Sequence, residues 1–87
     1  MIDVDMAKTK AIAFVEGIRL VKGYELDDCF VFTTDYADNN GLITPNMPVL
    51  CVSKETGKVD YYALYDPKKK NPYESMDRLK EAKEIAV

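Results

Sequence analysis

Histidine and tryptophan are absent from the chain, cysteine occurs only twice, and glycine and proline occur four times each. Each shortage excludes something. Without histidine, no side chain has an ordinary pKa near neutrality. Acid–base work would fall to carboxylates, tyrosine or cysteine, and a nucleophilic cysteine would lack an imidazole to raise its thiolate fraction. Cys29 and Cys51 are too few for a disulfide scaffold, and too few for a tetrahedral zinc site unless carboxylates complete it. The low glycine and proline content excludes collagen-like and low-complexity chains. No apolar run is long enough to cross a bilayer, and no glycine-rich phosphate loop or nucleophile elbow is present. These gaps predict a protein that is not an enzyme, with no catalytic residue, no cofactor and no bound metal.

A basic stripe is also missing. Twelve lysines and arginines against fifteen acidic residues leave a formal net charge of −3, and only Lys68, Lys69 and Lys70 are consecutive. Nucleic-acid binding needs clustered cations that displace phosphate counterions, so neither a nucleic-acid nor a membrane partner is expected. The acidic start Met1-Ile2-Asp3-Val4-Asp5 lacks the basic and apolar regions of a secretory signal, which predicts a cytoplasmic protein with reduced thiols.

What is present is a globular composition, 47 % hydrophobic and 31 % charged over 87 residues. A chain of this mass buries roughly 64 % of its unfolded surface, enough for a single domain over 1–87 with one small core. From Met6 to Val21, Ala7, Ala11, Phe14, Val15, Ile18 and Val21 recur at spacings of three and four, which predicts a helix with Asp5 as cap and Gly23 as its left-handed stop. Gly17 is read as tolerated inside it, at a cost of about 1 kcal/mol.

Cys29-Phe30-Val31-Phe32-Thr33-Thr34 is β-branched and aromatic, with Phe30 and Phe32 on one face and Cys29 and Val31 on the other, as expected of a central strand. Asp35 to Gly41 reads as a polar loop, and Leu42-Ile43-Thr44 as a brief edge strand before Pro45 and Pro48. Val49–Ser53 and Lys58–Tyr65 flank Lys54-Glu55-Thr56-Gly57, a hairpin whose Gly57 takes the left-handed position. In its second strand, Val59, Tyr61, Ala63 and Tyr65 are assigned to the core face, Asp60 and Tyr62 to the wetter one. Asn71 caps a last helix with Pro72 first and Glu74 reaching back, and Met76, Leu79, Ala82, Lys83 and Ala86 form a thin stripe. The expected fold is α+β, an N-terminal helix packed on a small antiparallel sheet of three or four strands, followed by a C-terminal helix. On strands, both cysteines are expected to behave as small buried hydrophobes.

Asp35 to Gly41 does not fit an EF-hand. With Gly41 at the sixth position, Tyr36 and Met47 would occupy the first and twelfth, where carboxylates are required. A different oxygen site from Asp35, Asp38 and Asn40 is the alternative to a solvated turn. Six tyrosines suggest a contact surface, since tyrosine supplies rigid area with a polar tip. Tyr36, Tyr62 and Tyr73 are the candidates, with cross-strand and helix-to-sheet packing as the other reading of Tyr62 and Tyr73. The partner-binding residues are therefore assigned as Asp35, Tyr36, Asp38, Asn40, Asp60 and Tyr62. The partner is a protein, and the alternative is a self-associating or chaperone-like module, such as a homodimer formed through a sheet edge.

The run Asn46-Met47-Pro48-Val49-Leu50-Cys51-Val52-Ser53-Lys54-Glu55-Thr56-Gly57-Lys58-Val59 resembles the YrhB-like immunity protein 35 family of bacterial polymorphic toxin systems. That family has Asn and Pro before an apolar strand, then a charged turn ending in Gly and a second strand. Cys29-Phe30-Val31-Phe32 is similar to its aromatic strand, and Asn71-Pro72-Tyr73-Glu74 to its Pro-started last helix. The resemblance implies a small cytoplasmic protein that neutralises a toxin domain by binding it, with no catalytic residues.

Overall fold

A computed structural model of the chain describes residues 1–36 and 48–87. The expected loop residues from Ala37 onward and the edge strand Leu42-Ile43-Thr44 lie outside the described residues.

Helix α1 spans Val4–Phe14. Its cap is Asp3, two residues before the expected Asp5, and the Asp3 carboxylate accepts from the Met6 backbone N–H at 2.8 Å. The helix ends seven residues earlier than the three-and-four spacing predicts. Val15 is already extended, and Gly17 turns the chain at φ +79. Gly17 is thus a turn residue, not a tolerated helical glycine. Beyond it, strand β1 occupies Ile18–Glu25. Ile18 and Leu20 alternate inward there, so a period of two replaces the helical reading of the same apolar residues.

Strand β2 (Cys29–Tyr36) pairs antiparallel with β1, and a bulge between Leu20 and Lys22 leaves Val21 exposed. Strands β3 (Val49–Ser53) and β4 (Val59–Tyr61) form the expected hairpin, with Gly57 at φ +74 and its N–H bonded to the Ser53 carbonyl at 2.8 Å. The second strand stops at Tyr61, short of the expected Tyr65.

Helix α2 covers Glu74–Glu81. Tyr73 takes the cap position, two residues after the expected Asn71, and makes no side-chain capping bond. The Asn71 side chain instead accepts from Tyr73 N–H at 3.1 Å and donates to Asp77 at 3.2 Å. The expected helical stripe through Ala86 breaks at Ala82, and Lys83–Ile85 form strand β5.

The sheet order is β4-β3-β2-β1-β5, antiparallel throughout, so the fold is α+β with five strands and not three or four. Gly23 is not a helix stop. It lies in β1 opposite Ile85 of β5. A Cβ there would stand 2.9 Å from Ile85 Cγ1 and 3.1 Å from Phe32 Cε1, so any larger residue would force these side chains to shift for β5 to dock as it does.

The core lies between α1 and one sheet face. Ala7 and Ala11 bring the helix close to Ile18, Phe30, Phe32, Leu50 and Val52. Tyr61 and Tyr65, expected in the core, are 63 % and 53 % exposed. Tyr61 does point to the helix side, edge-on to Phe14 at 5.4 Å, but at the rim of the sheet where solvent reaches it. No helix of the described residues is long and apolar enough to cross a membrane.

Candidate functional site

The second sheet face carries Cys29, Val31, Cys51 and Asp60. The register sets Cys51 opposite both Val31 and Asp60, and Cys29 opposite Ser53. Val31 on this face is fully buried, so the face is covered at its centre. Two bonds tether α2 across it. Tyr62 Oη donates to the Ser75 carbonyl at 2.8 Å, and Arg78 Nη2 meets Asp28 Oδ1 at 3.2 Å. Beside this covered centre lies a cleft of about 660 Å³, into which Asp28, Cys29, Cys51, Asp60, Tyr62 and Arg78 all project.

Both cysteines are half-buried, not enclosed hydrophobes. Burial raises the Cys29 thiol pKa, and the adjacent Asp28 carboxylate adds to it, pushing it up to about 12. Burial and then the charge of Asp60 raise that of Cys51. At neutral pH both are protonated and weak nucleophiles. Burial also pushes the Asp28 carboxyl up, but hydrogen bonds with Cys29 and Arg78 outweigh it and hold the group below its usual range. Tyr62 is raised by burial against the opposing effects of Arg78 and Ser75. The cleft thus has a soft, neutral floor of sulfur and phenol and a margin of both charge signs, with Asp28 and Asp60 among its carboxylates and Lys58 and Arg78 among its cations, suited to contact more than to proton transfer.

The assigned binding residues do not all meet here. Asp60 and Tyr62 do. Asp60 also accepts from the Tyr61 N–H through its own carboxylate at 2.8 Å, occupying an outward donor of the β4 edge. Tyr62 is a tether for α2 as well as cleft wall, so replacing it would act on the helix as well as on any contact. Asp35 lies in β2, not in a loop, opposite Arg19 and 3.4 Å from its guanidinium. It stands four residues along β2 from Val31, the residue level with Asp60, which is about 13 Å away at strand rise. Tyr36 ends β2, and Asp38 and Asn40 lie outside the described residues. Tyr73 is exposed, its ring 5.2 Å from that of Tyr65.

Sequence reasoning did not single out Asp28, Arg78 or the cysteines as members of one site. The alternation in Cys29–Phe32 and Val49–Ser53 carries a signal for the cysteines, since it separates each from the aromatic and aliphatic core face. Arg78 and Asp28 are fifty residues apart in sequence, and nothing local links them. No protein-family model, no curated protein and no solved structure matches this chain.

Proposed function

We propose that this protein is a non-enzymatic protein-binding module that presents its second sheet face to a protein partner. The observation that carries this reading is the asymmetry of the sheet. One face is closed by α1, while the other leaves a cleft where Asp60 and Asp28 stand beside the half-buried Cys29, Cys51 and Tyr62. An aromatic and sulfur floor with a charged margin is the composition of a contact surface. The family resemblance of the β3–β4 hairpin supports a bacterial toxin domain as the partner, with the module acting as a cytoplasmic immunity protein that neutralises the toxin by covering it. Pairing through a sheet edge is less well supported, because β4 and β5 are three residues each and the Tyr61 N–H is taken by Asp60.

A tagged pull-down from lysate of the source organism at low and high salt, followed by titration of the purified partner, tests the proposal. One stoichiometric protein is expected, with affinity that falls with salt and drops roughly tenfold in Asp60→Asn, the size of a moderate contact residue. Recovery of the bait alone, or an unaltered affinity in Asp60→Asn, overturns the assignment of this face.

A further inference from the structure

We propose that Cys29 and Cys51 form a two-coordinate thiolate site for a soft monovalent cation of the copper(I) class, independently of any protein partner. The geometry comes from the register. Lys54 N–H donates to the Asp28 carbonyl at 3.0 Å, which makes 28–54 a hydrogen-bonded pair and therefore 29–53 and 31–51 non-hydrogen-bonded ones. In such pairs the facing Cα atoms are about 4.5 Å apart, and the side chains stand close on one face. Cys29 and Cys51 are diagonal neighbours across these two pairs, with Cα atoms about 7 to 8 Å apart and Cβ atoms somewhat nearer.

That separation selects the chemistry. A disulfide needs Cα atoms within about 7 Å, so the two thiols do not bridge directly without backbone movement. Two metal–thiolate bonds of about 2.3 Å each span the remaining gap between sulfurs swung together about χ1. Among the described residues no group of three or more His, Cys, Asp or Glu could hold a metal, so a tetrahedral zinc or an octahedral hard cation finds too few ligands. A soft ion content with two sulfurs does not need a third.

Both thiols line the open cleft, so such an ion has an entry path. Burial and the carboxylates of Asp28 and Asp60 favour the protonated thiols, so the ion must displace both protons against them, with Arg78, paired to Asp28, as the nearby positive charge. On binding, two S–H bonds break, two metal–sulfur bonds form, and two protons pass to water. The ion keeps its oxidation state.

Anaerobic titration with copper(I) against a chromogenic copper(I) chelator tests the site, with silver(I) as a redox-inert second probe. One ion per chain is expected, with two sulfurs in its first shell by X-ray absorption. Each of Cys29→Ser and Cys51→Ser should lose more than about 100-fold in affinity, beyond the cost of an outer-shell contact. Affinity should also weaken as pH falls, because two protons are released. An ion shared between two chains, a first shell without two sulfurs, or one serine variant that keeps the wild-type affinity overturns the proposal. The X-ray absorption measurement needs no variant and decides the matter even if a serine variant fails to fold.

Discussion

Single residues decide where this chain turns. Gly17 holds φ +79 with open space around the missing Cβ, so its requirement is conformational and not one of packing. Gly17→Ala should lower stability by about 1 to 2 kcal/mol, the cost of an L-residue in the left-handed region, measured by urea denaturation. A loss near zero would mean that the turn relaxes. Lys54 shows how far one residue's role depends on its fold. Its side chain is largely buried, its ammonium meets Glu25 at 2.8 Å and lies 5.1 Å from the Phe30 ring centroid. In the sequence it reads only as a charged turn residue.

At the scale of elements, the instructive case is the C-terminal strand. Residues Lys83–Ile85 are too few to announce a strand by alternation, and the helical spacing of the preceding residues continues through them. Their strand conformation comes from β1, which offers them a free edge and a glycine under Ile85. Gly23→Ala should therefore displace β5. The damage should be smaller when Ile85 is also cut back to alanine, because Ile85 Cγ1 is the nearest atom to the new methyl. A double-mutant cycle on unfolding free energy should show a coupling of about 0.5 kcal/mol or more, as touching residues do. Additive losses would mean that Gly23 is needed for something other than Ile85. The early end of α1 has the same character. Phe14, Val15, Ile18 and Val21 satisfy a helical spacing, but the hydrogen bonds of β1 to β2 and β5 outweigh the helix that spacing permits.

For the molecule as a whole, two half-buried thiols with raised pKa values make stability depend on alkaline pH. The folded state keeps the Cys29 proton up to about 12, while an unfolded thiol releases it near 9.0. Between those values the native state holds more protons than the unfolded one, so stability falls as pH rises. Cys51 and Tyr62 shift in the same direction and add to the slope. Urea midpoints measured from pH 8 to pH 11 should decline in the native protein, and less steeply in the Cys29→Ser, Cys51→Ser double variant. Equal slopes would remove the thiols from the explanation.

By itself the sequence determined the elements that carry their own local signal. The aromatic strand around Phe30 and Phe32 alternates strongly enough to declare both its faces. The β3–β4 hairpin declares itself through Gly57, which only a left-handed turn requires, and the first helix declares its packed face through Ala7 and Ala11. It also placed Asp60 and Tyr62 away from the core. Only the tertiary structure decided the length of α1, the existence of β5 and the second-face cleft. Those depend on partners distant in the chain: Gly23 with Ile85, Asp28 with Arg78, and Cys29 brought diagonal to Cys51 by strand register. Local periodicity cannot encode such pairings, because each is settled by which backbone edge is free once the rest of the sheet has formed.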